Sequence, residues 1–115
     1  MQIQLLLNMI LYNVTISIDE ACENEWVSWM RETHIPDVIR TGYFKECKLC
    51  RLVGAEEQGG KTYAIMYTAH TEKGLLEYQQ MHSPSLQKEH NTKFQGRFAA
   101  FRTELNIIQE FIHEG

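Results

Sequence analysis

The chain has 115 residues, with Lys plus Arg 11, Asp plus Glu 15 and a formal net charge of -4. That length is one domain with one modest core. A mildly acidic chain without a basic run excludes nucleic acid and anionic membrane as natural partners. No apolar run approaches the ~20 residues of a membrane span. The apolar start MQIQLLLNMILYNV has no Lys or Arg before it and no small-residue cleavage site after it, so no secretory leader is read there. Residues 1–8 read either as an extension ahead of a start at Met9 or as an early stretch of the first strand, the extension being preferred. Three cysteines, Cys22, Cys47 and Cys50, without a secretion signal point to reduced thiols and a cytoplasmic location. The glycosylation sequon Asn13-Val14-Thr15 is then silent.

Residues 10–18 alternate, with Ile10, Tyr12, Val14, Ile16 and Ile18 on one face, which predicts a first strand. Asp19 is placed to cap the helix that follows. Trp26, Met30, His34 and Val38 stand four apart in a helical stripe. Pro36 removes a backbone donor and disfavours helical geometry at Ile35, so a kink or two short helices are expected, with Gly42 as the stop. A second strand is expected over Phe44–Val53 and a third over Thr62–His70. The third is apolar on both sides, through Tyr63, Ile65 and Tyr67 on one and Ala64 and Met66 on the other. Such a strand is usually covered on both faces, once by its own helices and again by a second subunit. Thr71 caps a helix through Met81, and Ser83-Pro84 reads as the N-cap and first residue of another helix, with Leu86, His90 and Phe94 on one face. A fourth strand is expected over Arg97–Ile108, then a tail over residues 109–115.

The order β-α-β-β-α-β is the ferredoxin-like arrangement, an α+β fold with a four-stranded antiparallel sheet and both helices on one face. One domain over residues 9–108 is expected.

The stretch AEEQGGKT, residues 55–62, matches the loose phosphate-loop pattern. A phosphate loop joins a strand to a helix. Here TYAIMYTAH alternates as a strand, and Glu56 and Glu57 would oppose phosphate. A hairpin turn through Gly59-Gly60 is the reading. Cys47-Lys-Leu-Cys50 lies within a strand, where residues three apart face opposite sides; neither a disulfide nor a shared metal follows. No metal and no cofactor are expected.

His34 and His90 each interrupt an apolar helix stripe above one sheet face. They are either acid–base groups facing a ligand or buried histidines bonded to backbone or tyrosine. Asp37, in the first turn after Pro36, is favoured there by the helix dipole, with a catalytic base as the other option. Arg51 and Arg102 are strand residues that want a carboxylate or an anionic ligand if covered. Tyr67 completes the ligand-binding candidates His34, His90, Tyr67, Arg51 and Arg102.

The blocks MILYNVTISID, EWVSWMRETHIPDVIRTGYF, GGKTYAIMYTAH, PSLQKEH and GRFAAFRTELNII resemble one family from Met9 on, the bacterial domain-of-unknown-function family forty-two eighty-six. The motifs W-x-x-W-M-x-x-x-H-I-P-D-V and F-x-A-F-R-T carry the match. They place Trp26, Trp29, Met30, His34, Pro36, Asp37, Phe101 and Arg102 in family blocks, without a catalytic assignment. The resemblance implies a small cytoplasmic ferredoxin-like domain akin to dimeric α/β barrels. The expectation is a homodimer that binds a small organic ligand between helices and sheet. A cofactor-free enzyme of the dimeric-barrel kind, monooxygenase- or isomerase-like, is the alternative, and a protein-interaction or regulatory module is the third reading.

Overall fold

The computed structural model describes residues 9–54 and 60–114. Four strands form one antiparallel sheet: β1 (Ile10–Asp19), β2 (Phe44–Arg51), β3 (Gly60–Ala69) and β4 (Phe98–Asn106), in the order β2-β3-β1-β4. This is the ferredoxin-like order. β1 is central, pairing with β3 through Tyr12 opposite Tyr67 and with β4 through Val14 opposite Arg102. Its even-numbered residues alternate as buried positions along its whole length, as the apolar pattern requires.

The first crossover begins with a short 3-10 turn at Glu20–Cys22, capped by the Asp19 carboxylate, which accepts from the Ala21 N–H at 3.0 Å. Helix α1 (Glu23–Trp29) runs into a π-helical turn (Met30–His34) and then α2 (Ile35–Arg40). The Ile35 N–H reaches back to the Met30 carbonyl, five residues away. Pro36 explains the widened turn, because a straight α-helix would seat its ring against the Glu32 carbonyl. Gly42 then turns the chain at φ 87°. The second crossover holds α3 (Glu72–Met81) and α4 (Ser83–Lys93). Thr71 caps α3, its hydroxyl accepting from the Gly74 N–H at 2.9 Å. The expected Ser83 cap is corrected: His82 stands at the cap position, Ser83 is buried inside the first turn, and its hydroxyl accepts from Gln87 Nε2 at 2.6 Å.

Strand ends also differ from expectation. β2 stops at Arg51, and β4 covers Phe98–Asn106, with residues 107–114 continuing without regular structure. Gly60 opens β3 opposite Asp19 and is not a turn residue; Gly59 and the rest of the expected hairpin turn, like residues 1–8 and Gly115, lie outside the described residues. Lys61 and Thr62 sit within β3, so strand follows the Gly-Lys-Thr stretch and no helix N-terminus stands behind it.

The core fills the space between one sheet face and the helices. Trp26, Met30 and Val38 come from the first crossover, and Leu75, Tyr78 and Phe94 from the second; all are buried against Ile16, Ile18, Ile65 and Tyr67. Among the described residues no helix covers the other sheet face. Phe101 (63% exposed) and Leu105 (49%) stand on it, opposite Thr15 and Leu11, beside half-buried Ala64 and Met66.

Candidate functional site

A cleft lies between sheet and helices. Its floor is Tyr12, Val14 and Ile16 of β1, Ile65 and Tyr67 of β3, and Phe98, Ala100 and Arg102 of β4. Its roof is Met30 and His34 from the π-helical turn, Tyr78 from α3, and Ser83, Leu86, Gln87, His90 and Asn91 around α4. The cleft measures about 480 Å³ including its solvent-open mouth, and the centres of water molecules can reach about 40 Å³ of it, room for a few waters.

His90 is held by a buried bond. The indole Nε1–H of Trp26 donates to His90 Nε2 at 2.9 Å. Indole is a donor only, so His90 Nε2 must be the unprotonated nitrogen. The proton of the neutral ring then sits on Nδ1, which lies 3.4 Å from Asn91 Oδ1. Burial holds the His90 pKa below its ordinary value, with the Arg102 charge adding to the effect and Asn91 opposing it.

His34 stacks on Trp29 with ring centres 5.1 Å apart and meets His90 edge-on at 5.8 Å. Its Nδ1 is buried and bonded to nothing among the described residues. Burial, then repulsion from His90, pushes its pKa down to about 4; Asp37 pulls the other way and Arg102 lowers it further. Both imidazoles are therefore neutral at pH 7.

Arg102 projects from the helix-facing side of β4, in register with Val14. Its guanidinium lies beside the Tyr12 hydroxyl, and Tyr12 has a raised pKa because burial outweighs that charge. Among the described residues no carboxylate stands within 4.0 Å of Arg102. Burial also raises Tyr67 well above its ordinary value and raises Tyr78, whose hydroxyl lies beside Ser83.

The fold thus brings His34, His90, Tyr67 and Arg102 into one cleft. Asp37 lies outside its lining, paired with Arg40 one helical turn on. Arg51 also lies outside it, 3.7 Å from Glu23 Oε2 at the edge of the sheet, where Glu23 also accepts from the Tyr63 hydroxyl at 2.5 Å. Tyr12, Tyr78, Ser83 and Asn91 were not singled out from sequence as site residues; the only signal at Ser83 was a helix cap, and it pointed elsewhere. Cys47 is half-buried on the helix-facing side of β2, and Cys50 is exposed on the other side; both are free thiols, and burial pushes Cys47 up to about 12. Among the described residues no three His, Cys, Asp or Glu are grouped as metal ligands would be, and no helix is long and apolar enough to cross a membrane.

The strand order and the two helical crossovers define an α+β protein with the ferredoxin-like fold. The chain belongs to the family described as "Domain of unknown function (DUF4286)", whose family model matches residues 9–108. No curated protein matches its sequence. Among solved structures it is similar to a dimeric ferredoxin-like protein from an uncultured marine organism, at 12% identity over 90% of this chain and 99% of that one, with a TM-score of 0.66. It is also similar to an EthD-like protein of Ralstonia eutropha, at 10% identity over 90% and 96%, with a TM-score of 0.65. A monooxygenase of Streptomyces coelicolor, solved in complex with nanaomycin D, matches at 9% identity over 100% of both chains, with a TM-score of 0.60. At these identities the likeness is one of fold.

Proposed function

We propose that this protein is a cytoplasmic homodimeric domain that binds a small organic ligand in the cleft between helices and sheet. One observation carries the reading: polar groups from six separate elements converge there among apolar side chains, and one of them, His34 Nδ1, is buried without a partner among the described residues. A buried polar atom with no partner costs on the order of 1–3 kcal/mol, which a bound molecule would relieve. A few placed polar groups on apolar walls are the usual make-up of a ligand pocket. The free thiols of Cys22, Cys47 and Cys50 support a reducing compartment. The uncovered sheet face with Phe101 and Leu105 supports a second subunit.

Native mass spectrometry of the protein purified gently from a bacterial host tests both parts. The expected species is a dimer carrying extra mass, or a bare dimer that takes up members of a fragment library with cleft signals shifting. A monomer whose cleft responds to no fragment would end the proposal.

A second reading, a cofactor-free enzyme of monooxygenase or isomerase type, is favoured by the neutral His34 ring, a ready proton acceptor lining the cleft. The Streptomyces coelicolor monooxygenase shares the fold. For an enzyme, His34→Gln keeps the fold and ligand binding and loses turnover. A variant that merely unfolds marks His34 as structural.

A further inference from the structure

We infer that the cleft's occupant is an organic mono-anion with a flat apolar body, such as an aromatic carboxylate or a stabilised enolate, its anionic group seated on Arg102. The inference rests on the ligand-binding reading and names the ligand's class.

Arg102 lines the cleft while remaining exposed to solvent, and among the described residues no carboxylate lies within 4.0 Å of its positive charge. The other ionisable groups lining the cleft are neutral at pH 7. Burial keeps His34 and His90 unprotonated, and it keeps Tyr12, Tyr67 and Tyr78 protonated. The lining therefore carries a net charge of plus one. Three charged neighbours lie just outside it, of which Asp37, whose charge acts on His34, is paired with Arg40. Glu104, two residues along β4 on the same face, is turned to Gln79, accepting from its Nε2 at 2.9 Å. Lys88 lines a separate surface hollow with Pro84 and Thr92. Charge-assisted bonds between guanidinium and carboxylate are the strong, geometrically matched ones.

The walls supply the rest of the description. Phe98 meets the His90 ring edge-on at 4.6 Å, and Leu86, Ile65 and Tyr67 complete an apolar surface suited to a ring. The donor on His90 Nδ1 stays fixed while Trp26 holds Nε2, and it faces Asn91 Oδ1 at 3.4 Å, so the pair offers the ligand a fixed polar edge.

The test compares matched acids and amides on the full chain at pH 7.5: benzoate against benzamide, and phenylacetate against phenylacetamide. Binding is followed by amide NMR shifts at Phe98, Ala100 and Asn91. The acids are expected to bind at least about ten-fold tighter than their amides. Arg102→Met should abolish that preference and leave the melting temperature within a few degrees. Should Arg102→Met fail to fold, the wild-type acid-to-amide ratio and Arg102→Lys, which keeps the charge, still decide the matter. Amides binding as tightly as acids would overturn the anion while leaving a ligand cleft in place. If no probe of either kind shifts the cleft signals, the cleft reading and the inference fall together.

Discussion

Trp26 and His90 are 64 residues apart in sequence, and the 2.9 Å bond between them fixes which nitrogen of the imidazole carries its proton. Everything His90 can offer a ligand follows from that. With Nε2 occupied, the ring presents a donor at Nδ1 and has no free lone pair for a base. Trp26→Phe keeps an aromatic ring but removes the N–H and part of the side-chain volume, leaving a buried acceptor unpaired beside a small gap. A loss of about 1–3 kcal/mol is expected in urea denaturation. The imidazole nitrogen shifts should change from one tautomer to a mixture. An unchanged nitrogen spectrum would show that Trp26 does not set the tautomer.

His34 makes stability depend on pH. Its folded pKa is about 4 against an ordinary 6.5, so between those values the unfolded chain binds more protons. The contribution is fully present above pH 6.5 and is lost as pH falls toward 4, amounting to about 3 kcal/mol across the window. The urea midpoint of the wild type should therefore fall more steeply between pH 7 and 4.5 than that of His34→Leu. Parallel curves would mean that the ring is not held neutral by the fold.

Phe101 and Leu105 test the second subunit. Both point away from the helices and are exposed in the single chain. Phe101→Glu with Leu105→Lys should leave the helix-side core intact. Light scattering should then report a dimer for the wild type and a monomer for the variant. A variant that stays dimeric would place the contact elsewhere.

The two cysteines of the C-x-x-C stretch should behave independently. Cys50 is exposed and Cys47 half-buried, its thiol pushed up to about 12 by burial. Iodoacetamide at pH 8 is expected to modify Cys50 well before Cys47. Mild oxidation should form no bond between them. A two-dalton mass loss confined to this pair would contradict the strand geometry.

The fold was legible wherever periodicity is set by one buried face. β1 is the clearest case, because its alternate residues meet the helices along the whole strand. The capping roles of Asp19 and Thr71 were legible too, since each needs only its own side chain and the next few N–H groups. His34 and His90 could be named from stripe spacing. Their meeting could not, because it depends on how the two crossovers pack. Arg51 and Arg102 illustrate the same limit. Both lie on the helix-facing side of the sheet, opposite Tyr63 and Val14. One pairs with Glu23 at the edge and the other enters the cleft, a difference made by sheet order, which no local pattern encodes. Ser83 misled because Ser-Pro is a common helix start; its burial between Tyr78 and Gln87 is a tertiary fact.

The π-helical turn at Met30–His34 alters the angular phase of everything beyond it. At 100° per residue, positions four apart advance by 40° each time, so an unbroken α-helix would carry Val38 about 120° around from Trp26. Yet Trp26, Met30 and Val38 are all buried, at 0%, 2% and 1% exposure. The wider turn takes back part of the drift and keeps a strict spacing of four on one side of the helix. Helical wheels drawn straight through this segment mis-aim every residue after Met30. Length and widened turn are thus matched to each other: with one residue fewer between Trp29 and Ile35 an ordinary α-helix would carry Val38 only about 20° around from Trp26, so the wide turn is what lets the chain hold the extra residue and keep Val38 in the core.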